Sequence, residues 1–183
     1  IANVAQSCLH ERVNDLFSEF PAKVQEHYDW AVERSNHHQA EDQEFRDLLA
    51  RAREGDETAI EEIETRYKYA AIEEPRTVLT AAEKDLPYSK SQYERVGVIY
   101  AGMIEMFKTS EVPIDDSFKR SVVLSIIGAQ IWLDDIEDYN TDVTESQLTP
   151  VTAEYTISDT EEIAYENIVS ITESYFERAM MCA

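Results

Sequence analysis

Glycine and proline are sparse in this 183-residue chain, four and five respectively, and strand-type alternation of apolar and polar residues is absent. So few breakers leave little room for the repeated tight turns of a β-sandwich or barrel. Cysteine is limited to Cys8 and Cys182, near opposite ends. Two thiols make no disulfide framework and fit no zinc spacing, which leaves one bridge between the ends or two reduced thiols. Of the four histidines, His10, His27, His37 and His38, none stands in an ExxH or HExxH frame. A di-iron bundle or a zinc protease is therefore without support. Cations are also scarce: 16 Lys and Arg face 38 Asp and Glu, a formal net charge of −22. That balance argues against a nucleic-acid backbone or an anionic membrane surface as partner, since both need cations opposite phosphate. The longest apolar stretch, Val122 to Leu133, is too short and interrupted to span a bilayer. No secretory leader is legible, and a cytoplasmic location is the expectation.

What is present is an apolar fraction of 43%, too rich for a disordered acidic tail. The length suits one domain with a substantial core. The acid excess is spread along the chain rather than gathered in a tail. A lysine-poor acidic surface suits molar salt, where screening shortens the Debye length to about 3 Å. A halophilic archaeal source is the expectation, set against an ordinary acidic protein or one facing a basic partner.

The apolar spacing is helical throughout. Val4, Cys8, Leu9, Val13, Leu16, Phe17 and Phe20 define a first helix that stops at Pro21. A second runs from about Ala22 past Val32. Phe45, Leu48, Leu49 and Ala52 mark a third, closed by Gly55. Asp56 caps a fourth, with Ile60, Ile63, Tyr67 and Ala70 on its face. Pro75 opens a short helix through Val78, Leu79 and Ala82, which ends before Pro87. Ser89 or Ser91 starts the next, through Tyr93, Val96, Ile99, Tyr100, Met103, Ile104 and Phe107. Gly97 and Gly102 inside it cost about 1 kcal/mol each in propensity, and such glycines permit close approach of a backbone or a ligand. After Pro113, Asp115 caps a helix from Ser117 to roughly Tyr139, apolar on every side in its middle and so central to the bundle. Residues 141–157 read as a loop, and Ser158 with Glu161 forms the capping box of a last helix. The expected architecture is all-α: one single-domain helical bundle, residues 1–183, of about eight helices with a buried central helix.

The end of that central helix reads Gly128-Ala-Gln130-Ile-Trp-Leu-Asp134-Asp135-Ile-Glu-Asp138-Tyr-Asn-Thr-Asp142. Asp134, Asp138 and Asp142 recur at i, i+4 and i+8 along one face, with Asp135 about 100° away. Carboxylates one turn apart repel unless a cation lies between them, and hard oxygen donors suit Mg²⁺. Such a cluster is otherwise a solvated helix end.

This motif, followed by Leu148-Thr149-Pro150, resembles the second aspartate-rich motif of the class I isoprenoid (terpenoid) synthases. That superfamily includes the trans-polyprenyl diphosphate synthases and the squalene/phytoene synthases. The helix from Tyr93 to Phe107 and the closing Glu173-Ser-Tyr175-Phe176-Glu-Arg178-Ala179-Met180 are similar to the family's flanking helices. The resemblance covers about residues 88 to 181, so the chain divides into divergent acidic helices, 1–87, and a synthase-like half, 88–183. It implies Mg²⁺ bound by Asp134, supported by Asp135, Asp138 and Asp142, holding a prenyl diphosphate for transfer or ionisation. Gln130 would act beside Asp134, while Arg95, Lys119, Arg120 and Arg178, with Tyr100, are the candidates to hold the substrate. The family pairs this motif with a second one on a facing helix. The nearest substitutes here are Asp29 with Glu33, and Glu41-Asp42-Gln43-Glu44. A homodimer is also implied by the resemblance. The alternative is a non-catalytic bundle of the same fold that binds a protein or lipid partner.

Overall fold

A computed structural model describes residues 21–73, 76–108 and 113–182, the side chains of 35 and 38–43 apart. Among the described residues the chain is all-α, with nine α-helices and three π-helical turns. The first expected helix, through Val4 and Phe20, lies outside them. The second and third are one helix, α1 (Ala22–Arg53). Between Val32 and Phe45 the sequence is polar but holds neither Gly nor Pro, so nothing breaks the rod. Gly55 closes it at φ 89°, a conformation that glycine adopts without the Cβ penalty.

Asp56 caps α2 (Glu57–Glu62), its carboxylate accepting from the Thr58 and Ala59 backbone N–H groups at 3.0 and 3.2 Å. α2 widens into a π-helical turn, Ile63–Lys68. The short helix starts later than expected: Thr77–Thr80 is irregular, Pro75 lies outside the described residues, and α3 is Ala81–Lys84. Glu83 reaches back to accept from the Thr80 N–H at 2.7 Å, completing a capping box there. α4 (Ser89–Gln92), a π-helical turn (Tyr93–Gly97) and α5 (Val98–Lys108) follow without interruption. Asp115 caps α6 (Asp116–Ala129), accepting from Phe118 N–H at 2.7 Å, and α6 ends in a third π-helical turn, Gln130–Asp135.

The stretch expected as a loop is largely helical, as α7 (Tyr139–Glu145) and α8 (Pro150–Ile157). Pro150 sits in the first turn, where its missing N–H costs nothing, and Thr149 and Thr152 cap each other's backbone at 2.8 and 3.2 Å. Burial of Val151 and Ala153 then outweighs the weak propensity of a Thr-rich segment. The last helix, α9 (Glu161–Cys182), is capped by Thr160, which accepts from Ile163 N–H at 3.2 Å. Ser158 instead accepts from the Asn167 amide at 3.5 Å.

α6 packs against α9 on one side and the α4–α5 rod on another, with Leu124, Ile127 and Ile131 fully buried. α1 crosses α5 at Gly102, where an added Cβ would stand 2.9 Å from the Ala31 Cβ. Gly128 admits α9, since a Cβ there would stand 3.3 Å from both Phe176 and Tyr175. These glycines thus serve helix-to-helix contact, and the space beside them is filled by neighbouring side chains.

Candidate functional site

Two of the three π-helical turns supply the acidic site, one carrying Arg95 and the other Asp134 and Asp135. The remaining one carries Tyr67, whose phenol lies in the field of Arg95. A π-turn is a rare irregularity inside a helix and is frequent at functional sites. Arg95 donates to Asp135 Oδ1 at 2.7 Å and lies 3.7 Å from Asp134 Oδ2. The Gln130 amide donates to the same Asp134 oxygen. Tyr67 is buried and donates its hydroxyl to the Leu148 carbonyl at 2.7 Å.

The four motif aspartates do not share one environment. Asp135 and Asp142 are buried, whereas Asp134 and Asp138 are exposed. The buried stripe of α6, Leu124, Ile127 and Ile131, extends by one more turn onto Asp135. The i, i+4, i+8 series therefore singles out Asp134 where the interior side chain is its neighbour. Oδ2 of Asp135 and Oδ2 of Asp142 are both buried and have no hydrogen-bond partner. Burial pushes the Asp135 carboxyl up to about 6, against the pull of Arg95. Burial likewise raises Asp142 to about 6, with Arg95 opposing and Asp138, Asp134 and Glu145 adding to the rise. Burial disfavours charge on Arg95, yet Asp135, Tyr67 and Asp134 outweigh it and hold its pKa above the ordinary value.

Arg95 is the one substrate-holding candidate brought to the motif. Arg120 lies near the opposite end of α6, with Nε 3.0 Å from Cys182 Sγ and 3.3 Å from Glu83. Arg178 belongs to that same far end, where its carbonyl accepts from the Cys182 thiol at 3.1 Å. Lys119 is buried in an ion pair with Glu105 at 2.6 Å. Tyr100 is on the outward side of α5, 38% exposed. The substitutes for a second acidic motif do not join the site either. Asp29 and Glu33 are exposed on α1, and Glu44 pairs with Arg66. Glu41, Asp42 and Gln43 have side chains outside the described set.

Two residues escaped the sequence reading. Tyr67 read only as a core position. Gln92, one turn before Arg95, is fully buried with neither amide atom hydrogen-bonded. A glutamine beside Ser89, Ser91 and Tyr93 carries no periodic signal that marks it as interior. Another buried carboxylate, Glu154, is fully engaged: it accepts from Lys68 at 2.8 Å, the Tyr88 hydroxyl at 2.6 Å and the Asn167 amide at 3.0 Å. Tyr88 holds a left-handed backbone, φ 62°, fixed by that bond and by its N–H to the Lys68 carbonyl at 2.6 Å.

The donors of the acidic motif are hard oxygens of the kind Mg²⁺ takes, and the two orphaned buried oxygens are what a cation would satisfy. Among the described residues no three His, Cys, Asp or Glu side chains converge as a ready-made metal cage. Mg²⁺ needs none, since it binds through one or two carboxylates together with substrate phosphates and water. Two clefts open elsewhere. One of about 460 Å³ is lined by Arg34, His37, Lys90, Glu73 and Glu94; another of about 370 Å³ is lined by His27, Trp30, Arg76, Glu105, Asp116 and Lys119. No helix among the described residues is long and apolar enough to cross a membrane. No known protein family, curated protein or solved structure matches this chain.

Proposed function

We propose that the acidic end of α6 binds Mg²⁺ together with a prenyl diphosphate, as a divergent site of the class I isoprenoid-synthase kind. The observation that carries this reading is the convergence of two π-helical turns on Arg95, Asp134 and Asp135, with buried oxygens of Asp135 and Asp142 left unpartnered. Asp134 and Asp138, at the exposed rim, and Asp135 and Asp142, behind it, are the residues that would hold the metal. A Mg²⁺ ion held by these residues would supply the charge that neutralises a diphosphate leaving group. Arg95 supplies the positive charge that steadies the carboxylates between binding events, and Gln130 orients Asp134 through its hydrogen bond. A second reading, the same site binding without ionising its ligand, is favoured by the packing at Gly102 and Gly128, which fills the space an apolar reaction chamber would need.

Calorimetry with Mg²⁺ and geranylgeranyl diphosphate tests both readings. It belongs in molar KCl, which the charge of −22 also recommends. The expected result is binding that requires Mg²⁺ and weakens at least tenfold in Asp134→Asn and Asp142→Asn. No binding, or equal binding in the variants, overturns the proposal. Binding without diphosphate release selects the non-catalytic reading.

A further inference from the structure

The cleft of about 370 Å³ is walled by His27 and Trp30 of α1, Arg76 and Val78 of the irregular stretch, Glu105 of α5 and Lys119 of α6. It shares no residue with the acidic motif. Packing does not explain two of its wall atoms. Trp30 is 8% exposed, and its Nε1–H, which can only donate, has no hydrogen-bond partner among the described residues. His27, one turn earlier on the same side of α1, holds a buried Nδ1 in the same condition. The Cζ3 edge of the indole faces Gly102 on α5, so the Nε1 edge turns away from that helix. Two buried polar atoms without partners in one cleft wall are a cost that a folded chain seldom carries without a compensating group.

We propose that this cleft binds a small organic monocarboxylate with a flat apolar body. The carboxylate accepts from Trp30 Nε1–H and from His27 Nδ1–H, a proton that Nδ1 carries in one neutral tautomer and in the imidazolium. The body lies against Val78 and the indole. Arg76 supplies the opposing charge. Its guanidinium lies over the Trp30 ring, 5.6 Å from the centroid, and pairs with the exposed Glu26 at 2.9 Å. At 44% exposure it can exchange Glu26 for a ligand without unpacking the core. The α5–α6 wall sets the size of the ligand's charge. Lys119 is buried against Glu105 at 2.6 Å, and Lys108 pairs with Asp116 at 3.4 Å, so both acids are already matched. Their carboxylates still repel a dianion more than a monoanion, which selects carboxylate over phosphate.

Trp132→Phe leaves Trp30 as the sole tryptophan, so the ¹⁵N-labelled full chain shows one indole N–H resonance. Benzoate is the probe, titrated in molar KCl, where ions held by exposed charge alone are screened away. A saturable downfield shift of the Trp30 indole proton is expected. Benzamide, which lacks the charge, and phenyl phosphate, which carries two, are each expected to bind at least tenfold more weakly. Arg76→Gln in the same chain, with helical content unchanged, is expected to weaken benzoate at least tenfold. No saturable shift in the millimolar range shows that the two atoms bond only to water and overturns the proposal. Equal affinity for benzamide or phenyl phosphate, or unchanged affinity in Arg76→Gln, overturns it as well.

Discussion

Glu154 and the Asp135–Asp142 pair are both buried carboxylates, yet the protein treats them oppositely. Every oxygen of Glu154 is used, by Lys68, Tyr88 and Asn167. Asp135 and Asp142 share Arg95 as their compensating charge, and each keeps one oxygen without a partner. A satisfied buried carboxylate fixes the fold. An unsatisfied one raises the free energy of the empty site, and a ligand that supplies the missing partner recovers that cost. Tyr67 stands at the border: its ring packs on Tyr88, 5.4 Å between centroids, while its phenol lies in the field of Arg95. The structural cluster thereby abuts the candidate site.

The comparison breaks most visibly at Glu154. Glu154→Ala strands a Lys68 that is 11% exposed, together with a buried tyrosine hydroxyl and an amide, and should cost about 3–5 kcal/mol in urea unfolding at neutral pH. A loss under 1 kcal/mol would remove Glu154 as a structural anchor. Arg95→Ala leaves Asp135 without its cation and should cost about 3 kcal/mol at pH 7. Because Asp135 already titrates near 6, the loss should shrink by pH 5, where the carboxyl takes up a proton. A loss independent of pH would show that packing, not charge, is what Arg95 provides.

The smallest effect has the opposite sign. Asp142 has its folded pKa raised from 3.8 to about 6, so the folded chain binds more protons than the unfolded one between those values. The stability tied to its protonation is fully present below pH 3.8 and is lost as pH rises through about 6. Asp142→Asn removes that loss and should stabilise the protein by about 1 kcal/mol at pH 7, less than the full shift because solvent screens the carboxylate, with little gain at pH 4. Destabilisation at pH 7 would show that the carboxylate is already compensated, and the contrast with Glu154 would fall.

The helices were legible where their ends carry local chemistry. Asp56, Asp115 and Gly55 act through their own side chain or backbone, within a few residues, and so can be read from sequence. The unbroken α1 was missed because a polar run resembles a gap when no neighbour is in view. α8 was missed because its stability comes from burying Val151 and Ala153 against other helices. The acidic motif was legible as a motif, but which of its acids turns inward was not, since regular spacing groups the acids without saying which side faces the core. Extending Leu124, Ile127 and Ile131 by one turn would have pointed to Asp135.

By itself the sequence determined the helical class, the helix ends that carry a local cap, such as those at Gly55, Asp56 and Asp115, the acid excess and the place where carboxylates crowd. Those are properties of neighbours along the chain, set by dihedral preferences, caps and charge. Only the tertiary structure decided which carboxylate is buried, that Arg95 alone among the proposed cations reaches the motif, and that Gly102 and Gly128 admit helices. Desolvation and close packing depend on residues tens of positions apart, and no local spacing encodes them.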